Sequence, residues 1–230
     1  DDGSGANGAE LWKSDGTSAG TTMVKDINVG AASGSPDRLV VVGTRVLFEA
    51  VDAGNGKELW QSDGTLTGTW MLKDIRPGSQ SSDPGPITVG DGDGFFTAND
   101  GVNGVSVWKS DGTEAGTKLV KDIPATSLTA VGDVVYFAAD DGVNGVELWL
   151  SDGNTSGTQM VKDINTTGSS GPSMLTAVGD QVFFRADDGT GKGAELWRSD
   201  GTSVGTGMVK DINPGANSSY LSERTAVGVE

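Results

Sequence analysis

The chain has 230 residues, no Cys, no His, 37 Gly, and 32 acidic against 16 basic residues, for a net charge of −16. Disulfide frameworks, thiolate or imidazole metal sites, Cys nucleophiles and Ser-His-Asp triads are thereby excluded. The acid excess argues against nucleic acid as a partner, and no apolar run is long enough for a helical membrane span.

In chain order, the first recurring stretch is ELWKSDGTSAGTTMVKDI at 10–27. A short apolar run near Leu39 and a β-branched, aromatic run at 46–50 follow. ELWQSDGTLTGTWMLKDI at 58–75 repeats the first stretch, and runs near Ile87 and at 94–98 lead to SVWKSDGTEAGTKLVKDI at 106–123. Runs at 127–132, 134–139 and 146–150 then precede the last part of ELWLSDGNTSGTQMVKDI, which occupies 147–164. Runs near Leu175 and at 182–186 come before ELWRSDGTSVGTGMVKDI at 195–212, and a final one lies near Thr225. The anchors Trp12, Trp60, Trp108, Trp149 and Trp197 are spaced by 48, 48, 41 and 48 residues. The spacing of 41 reflects a connection after Ile123 that is about six residues shorter than the others.

Turn residues separate these runs, and none carries an apolar face at helical period. Four short antiparallel strands, A to D, every 41 to 48 residues are the pattern of a propeller blade. The expectation is an all-β chain, a single propeller domain over 1–230 with five blades of four-stranded antiparallel sheet. One B strand is missing, since nineteen strands can be read where five full blades need twenty. The chain begins where a B strand would have ended and stops where one would begin. That match of phase favours an excerpt from a longer array, so that the native material is larger or polymeric. The alternative is a ring closed with one strand absent or supplied in trans.

Both faces of a blade pack on neighbours, so the five anchor Trp are expected as inter-blade core, with carbohydrate stacking as the alternative. Trp70 falls outside the repeat and is the candidate exposed, ligand-binding aromatic. Lys25, Lys73, Lys121, Lys162 and Lys210 recur on strand D, where charge guards an exposed sheet edge. The Asp of each Ser-Asp-Gly reads as a turn residue between strands C and D. The B–C loops carry Asp52, Asp100, Asp140, Asp141, Asp187 and Asp188, with an Asp1-Asp2-Gly3 counterpart at the start. Each loop is followed within seven or eight residues by Glu10, Glu58, Ser106, Glu147 or Glu195. Clustered carboxylates suit a hard cation with oxygen ligands, so Ca²⁺ is the candidate cofactor. Its candidate ligands are these six Asp with Glu147 and Glu195, and plain turn chemistry is the alternative.

The motif ELWxSDGTxxGTxxVKDI resembles a repeat of large secreted or surface proteins of bacteria, described as hyalin-like. The resemblance covers nearly the whole chain and implies a propeller fold and an extracellular or cell-surface setting. It brings no catalytic or ligand residues with it. The Trp-x-Ser-Asp-Gly-Thr stretch is also similar to the Asp-box hairpins of sialidase-like propellers, where such turns are structural. The functional expectation is a non-enzymatic structural or surface-assembly module that self-associates or packs on neighbouring repeats. The alternative is a lectin-like propeller binding glycans on its B–C and D–A loop face. An enzyme is not expected, because no carboxylate pair stands apart from its repeat equivalents.

Overall fold

The computed structural model describes residues 5–219. The strand expected near Thr225 and the Asp1-Asp2-Gly3 loop lie outside the described residues. The chain is all-β, a β-propeller of antiparallel blades; among the described residues four sheets are A-B-C-D meanders and one has two strands. It divides into two compact units, Asp1–Leu119 and Val120–Glu230.

In the first unit, β1 (Leu11–Lys13) and β2 (Thr22–Lys25) form a two-stranded sheet, the C and D strands of the first repeat. The second repeat is the sheet β3 (Asp37–Val42), β4 (Arg45–Asp52), β5 (Gly56–Ser62) and β6 (Trp70–Lys73). The third is β7 (Thr88–Gly90), β8 (Asp93–Asn99), β9 (Val105–Ser110) and β10 (Lys118–Lys121), and the unit boundary falls inside β10. The second unit holds β11 (Ala125–Val131), β12 (Val134–Asp140), β13 (Val146–Ser151) and β14 (Gln159–Lys162) as one sheet. Its other sheet is β15 (Ser173–Val178), β16 (Gln181–Ala186), β17 (Glu195–Ser199) and β18 (Gly207–Lys210).

These strands are short and rich in β-branched and aromatic residues, and the B and C strands of the four-stranded sheets are largely buried. Strand B sets a Phe opposite the anchor Trp of strand C: Phe48 faces Trp60, Phe96 faces Trp108, Phe137 faces Trp149 and Phe184 faces Trp197. The core lies between successive sheets. Leu11, Val24 and Ile27 of the first repeat pack with Phe48, Ala50 and Trp60 of the second. Val161 and Ile164 of the fourth pack with Val182, Phe184 and Trp197 of the fifth. The four interior Trp are buried, as a core role requires, whereas Trp12 is 39% exposed.

The recurring lysine does something other than guard an edge. Lys25 Nζ donates to the carbonyl of Thr69 at 2.8 Å, a residue of the next repeat's C–D turn. Lys73 does the same to Thr117, Lys121 to Thr158 and Lys162 to Thr206. The side chain lies along its neighbour's edge with its ammonium satisfied by a carbonyl, so the edge-guard reading is corrected to a clasp between repeats.

The C–D turn explains the rest of the motif. The Asp accepts two bonds from the following Thr, as in Thr202 N and Thr202 Oγ1 to Asp200 Oδ1 at 2.8 and 2.7 Å. The Ser Oγ caps the turn Gly and pairs with the Thr seven residues on, as in Ser199 with Thr206 at 2.7 Å. The second Gly of the motif is required for space. A Cβ on Gly205 would collide with the Asp200 carboxylate, whereas a Cβ on Gly207 would meet nothing within 4 Å. Gly205→Ala must turn the Asp200 carboxylate out of its bonds, and is expected to lower the melting temperature by about 3–6 °C. Gly207→Ala, two residues away, leaves it unchanged or slightly higher; equal effects in calorimetry would refute this reading of the motif.

Candidate functional site

The B–C and D–A loops meet at one end of each sheet through backbone bonds. Ser82 N donates to Lys57 O and Asn99 N to Ser82 O in the first unit. Gly171 N donates to Val146 O and Asp187 N to Ser170 O in the second. The Glu that opens each motif organises this end. Buried Glu58 accepts Ile75 N at 2.9 Å, Ser82 N at 2.9 Å and Ser82 Oγ at 2.6 Å. Glu147 accepts Ile164 N at 3.0 Å, Ser170 N at 2.8 Å and Ser170 Oγ at 2.6 Å. Glu195 accepts Ile212 N and Ser219 N, and Glu10 accepts Ile27 N and Gly34 N. Each carboxylate therefore pins the D–A loop that leaves its own repeat.

The third repeat has Ser106 at this position, and its connection runs directly from Ile123 through Pro124 into β11 at Ala125. The Glu is absent where there is no long loop to hold. Gly104 tells the same story. Its counterparts Gly8, Gly56, Gly145 and Gly193 all lie against D–A loop atoms, while beside Gly104 there is open space.

The Asp candidates are placed in turns. Asp52 Oδ1 accepts Gly54 N and Asn55 N, and its Oδ2 accepts Asn55 Nδ2. Asp100 holds Val102 and Asn103 in the same way, and Asp141 holds Val143 and Asn144. The backbone N–H of Asn103 and of Asn144 are the main reason that Asp100 and Asp141 titrate below the usual carboxyl range. Asp140 accepts Gly142 N and Asp187 accepts Gly189 N. Asp188 accepts Thr190 N and Oγ1 and lies 3.8 Å from Lys192. Among the described residues, no three Asp or Glu side chains converge into a group that could hold a metal ion. Glu147 and Glu195 in particular point their oxygens at backbone N–H groups of their own D–A connection. Trp70 is 40% exposed, and one ring face carries the Arg45 guanidinium at 5.2 Å.

In the second unit a cleft of about 660 Å³ opens at the short connection. Lys121, Asp122 and Pro124 line it from the segment that ends β10, and Asp140, Asp141 and Trp149 from the fourth repeat. Lys121 Nζ lies 5.5 Å over the Trp149 ring, which covers that face with an ammonium. Asp141 is fully engaged in its turn. Asp140 commits only Oδ1, to Gly142 N, and its Oδ2 takes no hydrogen bond among the described residues. Asp122 was not among the sequence candidates, since its repeat equivalents look alike. The signal that marks it is the short connection beside it.

The fold is similar to that of puromycin hydrolase, with a TM-score of 0.54 at 14% identity, over 89% of this chain and 32% of that one. The chain thus spans about a third of that enzyme's length. An α-L-arabinofuranosidase from Clostridium thermocellum matches with a TM-score of 0.34 at 15% identity, over 80% of this chain and 76% of that one. A thermostable family-43 glycoside hydrolase matches at 0.32 and 13%, over 73% and 68% of the two chains. No protein-family model and no curated protein sequence matches the chain, so the resemblance to hyalin-like repeats rests on the motif alone. The likeness to puromycin hydrolase, an enzyme, corrects the expectation of a non-enzymatic structural or surface-assembly module.

The clamp has a consequence for pH. Burial pushes Glu58 up to about 7 from an ordinary 4.5, against the pull of its donors Ser82 and Ile75. The folded chain then keeps a proton that the unfolded chain releases, so this contribution to stability is complete below about 4.5 and is lost as pH rises through 7. The melting temperature is expected to fall between pH 5 and pH 8, and Glu58→Gln to flatten that slope. A slope unchanged in the variant would rule the clamp out as its source.

Proposed function

We propose that the chain is a hydrolase whose substrate enters the cleft at the short third connection, and that Asp122 and Asp140 carry its chemistry. The observation that carries this reading is a coincidence of place. The one repeat that breaks the pattern is the one beside which carboxylates from two different segments line a common opening. Elsewhere a long loop occupies the corresponding end of the sheet.

The residue inventory narrows the reaction. The sequence has no His and no Cys, so proton transfer at neutral pH falls to carboxyl groups. A glycosidic bond is the substrate such an inventory suits best. One carboxyl protonates the leaving oxygen, and the second acts as base toward water or as nucleophile. The Asp140 oxygen left outside the turn is free to take the second role, with Asp122 supplying the acid. The ammonium over Trp149 argues against sugar stacking on that ring face and favours hydrogen bonding of substrate hydroxyls by Lys121.

The test is a panel of chromogenic aryl glycosides assayed with the wild type, Asp140→Asn and Asp122→Asn. Turnover is expected in the wild type and a loss of about 10²–10⁴-fold in each variant, with melting temperatures unchanged. Full activity in either variant, or no hydrolysis of any glycoside by the wild type, would overturn the assignment.

A further inference from the structure

The sequence contains four Asn-Gly dipeptides, at Asn7, Asn55, Asn103 and Asn144, each at or shortly before the start of a strand C. Such a pair carries a reaction of its own. Glycine, having no Cβ, lets its own nitrogen swing toward the amide carbon of the asparagine before it. Three of the asparagines start out alike. Asn55, Asn103 and Asn144 each donate Nδ2 to the Asp three residues earlier, at 2.9, 2.8 and 2.8 Å. Each also gives its backbone N–H to that Asp.

What differs is the cover. The pairs at Asn7, Asn55 and Asn144 are half-buried, and a D–A loop lies against each of their glycines. A serine of that loop also grips the residue after the glycine. Ser33 Oγ accepts Ala9 N at 3.0 Å, Ser81 Oγ accepts Lys57 N at 3.0 Å and Ser169 Oγ accepts Val146 N at 2.9 Å. The third connection is Pro124 alone between Ile123 and β11, and it holds no serine. Asn103, Gly104 and Val105 are all exposed, and a Cβ on Gly104 would meet nothing within 4 Å. Among the described residues no side chain takes the N–H of Val105.

We propose that Asn103 is a site of spontaneous backbone modification, passing through a cyclic imide to aspartate and isoaspartate. The Gly104 nitrogen gives up its proton and bonds to Cγ of Asn103. The Cγ–Nδ2 bond breaks, and the amide nitrogen leaves with that proton as ammonia. Water then opens the imide at one of its two carbonyls. One opening leaves a normal Asp linkage, and the other leaves a backbone longer by one methylene. The reaction requires the segment to leave its starting geometry, which costs least where few contacts hold it. At Asn55 and Asn144 the serine grip and the loop must first let go. The aspartate product puts a carboxylate where Nδ2 met Asp100, so a hydrogen bond becomes a like-charge contact and the turn loosens. This inference stands apart from the proposed hydrolysis, because neither Asn103 nor Gly104 lines the cleft.

The test is incubation of the folded chain at pH 8 and 37 °C, followed by peptide mass mapping, with isoaspartate read by enzymatic methyl-ester formation. Conversion at Asn103 is expected to run about 10-fold or more faster than at Asn55 or Asn144. In denaturant, where no loop covers any pair, the four asparagines are expected to convert at similar rates. Ser169→Ala removes the grip on Val146 and is expected to raise the rate at Asn144 toward that at Asn103. An Asn103 that stays unmodified, or equal rates at Asn55, Asn103 and Asn144 in the folded chain, would overturn the proposal. So would a preference for Asn103 that persists in denaturant, or an Asn144 rate unmoved by Ser169→Ala, since cover would then not be the cause.

Discussion

A buried backbone N–H must find an acceptor, and the layout of the loop end follows from how this chain provides one. Two residues past the D strand stands an Ile whose N–H is turned inward, and the loop that follows comes back to the same place some residues later. One carboxylate serves both points. Glu58 holds the strand end at Ile75 and the loop at Ser82, and Glu147 holds Ile164 and Ser170. Each leaves water to do so, at the cost that lifts Glu58 toward neutrality. What is gained is a long polar loop folded onto the sheet with its backbone satisfied. Where that loop is missing, the acid is missing too, and the protein has a cleft instead.

The fold was legible because its signals are local. Alternating short runs, Gly-Asp turns and the recurring Trp mark each strand within a few residues, and repetition multiplies every weak signal. Strand C is a good case: VELWL at 146–150 reads as a strand with two apolar faces, and β13 is found at Val146–Ser151, paired through Phe137 to Trp149. The lysine clasp was hidden because its acceptor is a carbonyl 44 residues away, as for Lys25 and Thr69. Charge next to charge on an outer strand reads as solvation until a neighbour is in place.

The site was harder to read, for a related reason. An Asp-rich turn followed by a Glu suggests converging oxygens, yet the Glu looks the other way, toward donors 17 and 24 residues on at Ile75 and Ser82. The Asp side chains spend their lone pairs on N–H groups two and three residues ahead. Both facts depend on where backbone donors point, which residue identity does not record. The informative feature was a deletion. Ser106 in place of Glu and a spacing of 41 change together, and that pairing within one chain marks the cleft that holds Asp122 and Asp140. Asp122 looks ordinary in the sequence because its repeat equivalents are the same residue and only its surroundings differ.

The clasp also gives the chain a sense of direction. Each lysine that grips a neighbouring turn, from Lys25 to Lys162, reaches the repeat that follows it. A regular repeat therefore presents a hook on one side and an eye on the other, and its stability is shared only with its immediate neighbours. Duplicating or deleting one such unit in the gene would leave every remaining hook facing an eye, and no junction of a new kind would arise. The third repeat lacks this freedom, because its short exit and its Ser106 fit only each other. Copy number can drift around that position while the position itself stays put, which makes it the natural landmark of the array.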